Sequence, residues 1–261
     1  MQDFITILAI AIAAAIASPI GGLIAACHKP NTFVMSLALG FASGVLLATS
    51  GFEMLPQALE LSSLSITIGG FSVGFIAVYL FDLLLHHGQL AGEESEQYPK
   101  VRQFYRRHKI RQSEVPVLAG GTSAEELIEG VSIGVGAAIN PNLGILIALA
   151  IVVDNFSEGL SVGELIRHEQ NSLGHGTIQR ILGWTSLIGG ALLISAMGGW
   201  YFLRGLSPSI LGFLIGTAGG GLFYLTITKL VPEAEERHYQ QSSAFAIAIG
   251  FLFIFVLTKF F

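Results

Sequence analysis

EELIEGVSIG at residues 125–134 and DNFSEGLSVG at residues 154–163 are one phrase written twice. Glu125 answers Asp154, Glu129 answers Glu158, Gly130 answers Gly159, Ser132 answers Ser161 and Gly134 answers Gly163, all at an offset of 29 residues. Each copy lies inside a long apolar stretch. An ionised carboxylate at bilayer depth costs several kcal/mol unless a cation or a proton compensates it, so such a cluster reads first as a site.

Working outward from the repeat, the whole chain has the composition of a membrane protein. Of its 261 residues 52% are hydrophobic and only 12% charged, with a mean hydropathy of +0.68. These values lie far from those of soluble domains. Eight apolar runs follow one another: Phe4–Cys27, Phe33–Leu55, Ile66–Leu85, Pro116–Ala138, Leu143–Ile166, Ile181–Leu203, Ile210–Val231 and Phe245–Leu257. They are long and continuously apolar, without the alternation of barrel strands. The expected fold class is therefore an all-α membrane protein with eight transmembrane helices. Residues 1–261 form one transmembrane domain, with a loop at about 88–114 between the third and fourth spans. The first run has no Lys or Arg before it, only Asp3, and reads as a span rather than a secretory leader.

Charge placement sets the expected orientation. Six cations (Lys100, Arg102, Arg106, Arg107, Lys109 and Arg111) lie in the long loop. Lys29, Arg167, Arg180, Lys229 and Arg237 join them if the N-terminus is outside, against Arg204 and Lys259 opposite. Eleven against two places the loop in the cytoplasm and both termini outside. The single Cys27 excludes an internal disulfide and any multi-cysteine metal motif. Nothing in the chain suggests nucleic-acid binding. The 88–114 loop, acidic then basic, is expected to be a flexible or lipid-surface segment rather than a folded domain.

A second repeat matches Gly40, Ala42, Gly44, Pro56, Ala58 and Glu60 to Gly216, Ala218, Gly220, Pro232, Ala234 and Glu236 at an offset of 176. Both repeats relate antiparallel spans, as inverted repeats about an axis in the membrane plane require. Spans one to three would then match six to eight in a 3+2+3 inverted-repeat arrangement, with four and five paired at the centre.

The chemistry falls on that central pair. Glu125 and Asp154 lie about 14 and 17 Å into their spans at helical rise. Glu125 with Glu129, and Asp154 with Glu158, are spaced i, i+4 on shared faces. Glu126 and Asn155 lie about 100° round. Gly130, Gly134, Gly159 and Gly163 make two GxxxG steps, expected to bring the two helices together. Hard divalent cations need oxygen ligands at about 2.0–2.6 Å. Metal binding, protonation and salt bridges to other spans could each compensate five carboxylates. Lys229 is a candidate for the last, but its place near a helix end predicts that it snorkels out.

With those residues in view, the chain resembles the ZIP (Zrt/Irt-like) metal transporter family along all eight spans. The family carries H-N-x-x-[DE]-G on its fourth span and H-[NE]-x-x-[EH] on its fifth. Here those positions read Glu125-Glu126-x-x-Glu129-Gly130 and Asp154-Asn155-x-x-Glu158-Gly159. Gly40–Pro56 resembles the family's second span and Gly219–Glu236 its seventh. The resemblance implies a transporter, not an enzyme. It would move divalent cations toward the cytoplasm, holding metal with Glu125, Glu126, Glu129, Asp154, Asn155 and Glu158 between spans four and five. Both motif histidines are replaced, by Glu125 and Asp154. The sixth-span Glu-Pro pair is absent from Trp184–Gly189, so Glu126 supplies a second metal's ligand or only one metal binds. An oxygen-only site favours harder ions such as Mn over Zn, with Fe between, although carboxylates do bind zinc.

Glu53, near the outer end of the second span, is a candidate for cation access. Asp82, His86, His87 and Glu164 are candidates for an exit relay, the alternative being polar residues that end helices at the interface. The expected location is a bacterial inner membrane, with lipid and metal ions as partners and a homodimer left open. Two other readings stand beside transport: a non-transporting metal sensor or scaffold, and an intramembrane metalloenzyme.

Overall fold

The structure, a computed structural model, describes residues 2–28, 31–85, 115–170, 175–236 and 239–259. The expected cytoplasmic loop lies outside the described residues, as do His86, His87, Lys29, Arg237 and the six loop cations. Everything regular among the described residues is helical. In chain order, α1 is Gln2–Cys27, α2 is Thr32–Leu61, α3 is Leu64–Leu85 and α4 is Val115–Ile139. Next come α5 (Pro141–Gln170) and α6 (His175–Leu203). The chain continues into α7, made of Pro208–Leu225, Thr226–Leu230 and Val231–Glu236, and α8, Gln240–Leu257. All except α4 are long and apolar enough to cross a membrane. With 25 residues α4 has the length, but Glu125, Glu126 and Glu129 interrupt its apolar character.

Two helices run further than their apolar patterns indicate. The runs ending at Leu55 and Val231 stop where Pro56 and Pro232 follow, because a proline removes a donor and crowds the preceding turn. Instead, a π-helical turn precedes each proline, Thr49–Met54 in α2 and Thr226–Leu230 in α7. The Leu55 N–H donates to the Ser50 carbonyl, and the Val231 N–H to that of Thr226. These five-residue steps widen the helix where the ring must fit, so helical structure continues to Leu61 and Glu236.

Glycine decides which helices pair. Helix α2 packs on α8 and α7 packs on α3. A Cβ at Gly44 would lie 2.0 Å from the Ile247 carbonyl oxygen, and one at Gly220 would lie 2.1 Å from that of Phe71. Gly40 similarly faces the Ser243 carbonyl and Gly216 that of Thr67. Each contact of the α2–α8 pair recurs in the α7–α3 pair at the same offset, 176.

The GxxxG steps of α4 and α5 also give close approach, but not to each other. Gly130 and Gly134 seat α4 on the Leu192 and Ala196 carbonyls of α6. Gly159 and Gly163 seat α5 on the Ser18 and Gly22 carbonyls of α1. The expectation that these steps join α4 to α5 is therefore corrected. The glycine faces point outward, which leaves the acidic faces free to turn toward one another. Helix α1 also packs on α6, so α1, α4, α5 and α6 form one tight group, and α2, α3, α7 and α8 another. Between the groups, α2 touches α5 and α4 touches α7, while α2 and α7 touch within their own group.

Candidate metal centre

The acidic faces of α4 and α5 meet at the middle of the protein. Glu126, Glu129, Asp154 and Asn155 are buried, at 1%, 4%, 1% and 0% exposure. Asn155 knits three helices together: its Nδ2 donates to the Ala14 carbonyl of α1 at 3.2 Å and to Glu126 Oε2 at 3.1 Å. The side chains of Glu129 and Asp154 lie against each other across the α4–α5 interface. Buried carboxyl and amide oxygens normally have a partner. Here Glu126 Oε1, Glu129 Oε2, Asp154 Oδ1 and Asn155 Oδ1 have none, and neither does Ser18 Oγ of α1.

The remaining two carboxylates are treated differently. Lys229, in the π-helical turn of α7, donates from Nζ to Glu125 Oε2 and, at 2.6 Å, to Glu158 Oε1. These side chains are more open, with 28% of Lys229, 19% of Glu125 and 10% of Glu158 exposed. One turn beyond, Ser161 Oγ donates to Glu233 Oε1 at 3.1 Å. The expectation that Lys229 snorkels away is thus corrected. Two carboxylates on separate helices attract the ammonium more strongly than the helix end does. Of the six expected ligands, then, four keep one buried oxygen without a partner and two are held by a lysine. Among the described residues no arginine or lysine is ion-paired to Glu126, Glu129 or Asp154. No three His, Cys, Asp or Glu among those residues converge on one point as they stand.

The outlying candidates are scattered. Glu53 sits partly exposed in the π-helical turn of α2. Asp82 accepts a hydrogen bond from the Tyr224 hydroxyl at 2.8 Å, joining α3 to α7. Glu164 is partly buried on α5, one turn before Arg167, whose Nη1 donates to the Ala25 carbonyl at 3.2 Å.

Sequence reasoning missed the contribution of α1. Ser18 precedes Pro19, which stands inside α1 and deprives the Ala15 carbonyl of its helical donor. Gly189 of α6 packs directly against that carbonyl. A hydroxyl beside a helix-interior proline in an otherwise apolar run is the signal that could have found it. Lys229 also had a signal, since the 176-residue offset pairs it with Glu53.

Buried acidic oxygens without protein partners stand in the middle of an all-helical bundle, seven of whose helices are long and apolar enough to cross a membrane. The sequence model of the Zip family, described as ZIP Zinc transporter, matches residues 86–258. The chain belongs to that family. It is 28% identical over 229 residues to the Zinc transporter ZupT of Escherichia fergusonii, spanning 85% of this chain and 84% of the relative. It is 27% identical over 226 residues to the Zinc transporter ZupT of Salmonella newport, with the same coverage. The family is one of transporters, and the metalloenzyme alternative falls with that assignment.

Proposed function

We propose that this protein carries divalent metal cations, zinc among them, across a membrane toward the cytoplasm. The observation that carries this reading is the set of buried, unpartnered oxygens on Glu126, Glu129, Asp154 and Asn155. Each of these residues keeps one oxygen without a partner, and a divalent cation drawn among them supplies one. Glu129 and Asp154 are the bridging pair, with Glu126 and Asn155 completing the shell and Ser18 Oγ at its α1 edge. Glu125 and Glu158 join the ligands once Lys229 leaves them. Zinc is favoured because the relatives are zinc transporters. The oxygen-only donor set also suits manganese and iron.

The architecture proposed for this activity is eight spans in a 3+2+3 inverted repeat. Exchanging α1–α3 with α6–α8, and α4 with α5, leaves the helix-pairing pattern unchanged, and the glycine contacts repeat with it. Alternating access then takes the form of one four-helix group moving against the other. Because α4 and α5 are seated on α6 and α1, the cargo travels with α1, α4, α5 and α6. Both termini outside and a bacterial inner membrane complete the proposal.

The test is uptake by proteoliposomes loaded with a metal-sensitive dye. Glu129→Gln and Asp154→Asn should each abolish zinc and manganese uptake. Wild-type rates in both variants would rule the site out, and no flux in the unmodified protein would favour a sensor or scaffold.

A further inference from the structure

We propose that Lys229 is a resident counter-cation that competes with the metal for Glu125 and Glu158, and that its ion pairs latch the two four-helix groups together until metal displaces it. This rests on the reading of the acidic centre as the metal site, and adds how that site governs movement.

Three observations combine. First, Lys229 is placed across a boundary. It belongs to α7, which packs with α2 and α3, whereas Glu125 and Glu158 belong to the group of α1, α4, α5 and α6. Second, the ammonium and a metal are mutually exclusive on the same oxygens. Nζ already lies within hydrogen-bond distance of Glu125 Oε2 and Glu158 Oε1. A cation bound to those atoms would meet the ammonium at contact distance, with like charges in a poorly hydrated setting. Third, the lysine has room to leave. Its side chain is partly exposed, whereas Glu126, Glu129 and Asp154 are closed. Glu233 lies one turn further along the same helix. That carboxylate, which accepts a hydrogen bond from Ser161, is a second acidic group within the lysine's own helix.

The consequence is an exchange of cations. With the lysine inserted, Glu125 and Glu158 share one positive charge and the two groups are tied. A divalent cation brings more charge to the same oxygens, expels the lysine and unties the groups. When the metal departs toward the cytoplasm, the ammonium returns and takes up the oxygens it leaves. Only ionic contacts are made and broken, so no proton or electron need move. The lysine also lowers metal affinity, because part of each metal's binding free energy goes into displacing it.

Two measurements test this on the full-length protein in detergent or nanodiscs. In the unmodified protein, Lys229 is labelled with a small amine-reactive reagent and quantified by mass spectrometry, with and without saturating zinc. Labelling should rise severalfold with zinc, since the ammonium is then freed. Equal labelling in both conditions would overturn the latch. In parallel, zinc affinity is compared for the unmodified protein, Lys229→Gln and Lys229→Arg. The glutamine variant should bind zinc about tenfold more tightly while transporting it more slowly, and the arginine variant should stay near the unmodified affinity. Unchanged or weaker binding in Lys229→Gln would overturn the proposal. The readings separate cleanly: an unmodified protein that binds no zinc sinks the metal site itself, whereas one that binds zinc with Lys229 unmoved sinks only the latch.

Discussion

The inner carboxylates Glu126, Glu129 and Asp154 and the rim carboxylates Glu125 and Glu158 stand on the same two helices, within a turn of one another. Yet they find opposite solutions to burial. The rim pair is satisfied by Lys229. The inner three, with Asn155, keep four oxygens without a partner. Burying an acidic oxygen without a partner is unfavourable, and among the described residues no lysine or arginine is ion-paired to these three side chains. The difference teaches where the missing positive charge must come from. At the rim the chain supplies it, and in the interior our proposal assigns it to a bound ion.

The sharpest way to break that comparison is to remove one acid from each set. Glu129→Gln should reduce zinc uptake by roughly 100-fold or more, since it deletes a bridging ligand with no substitute nearby. Glu125→Gln should reduce it by only about 10-fold, because that carboxylate already shares a cation and serves the metal part of the time. Initial rates in proteoliposomes check both. Equal losses would mean that inner and rim acids form a single undivided site.

The next prediction concerns the scaffold that holds both sets in place. Gly44→Val and Gly220→Val each drive a side chain into a carbonyl of the neighbouring helix, Ile247 or Phe71. Overpacking of this kind costs about 1–3 kcal/mol, and the two variants should lose thermal stability to a similar degree. Strongly unequal losses would break the equivalence of the α2–α8 and α7–α3 pairs. Removal of the Tyr224–Asp82 hydrogen bond by Tyr224→Phe should cost about 1–2 kcal/mol in the same assay and leave zinc affinity unchanged. The smallest effect is expected at Gly51, which has open space where a Cβ would stand. Gly51→Ala should unfold within about 0.5 kcal/mol of the parent.

Much of this was legible in the sequence. Apolar runs located the helices, and the twice-written phrase located the acidic faces, because hydropathy and spacing act locally. The helix ends at Pro56 and Pro232 were misread because a π-helical turn leaves no pattern in composition. The partners of the GxxxG steps were misread for a different reason. A small-residue stripe says that some backbone comes close, but not which one, and the repeat made α4 and α5 the obvious pair. Lys229 was misjudged by considering its own helix alone. Its direction is set by Glu125 and Glu158, 104 and 71 residues away in the chain. Ser18 went unnoticed because a single hydroxyl carries almost no signal without its neighbours.

The central claim is that a divalent cation sits among the inner oxygens. Anomalous scattering from crystals grown with manganese, zinc or cadmium tests it directly. The account predicts a peak about 2.0–2.6 Å from carboxylate oxygens of both Glu129 and Asp154. Peaks confined to the protein surface, with those oxygens still facing only each other, would contradict it.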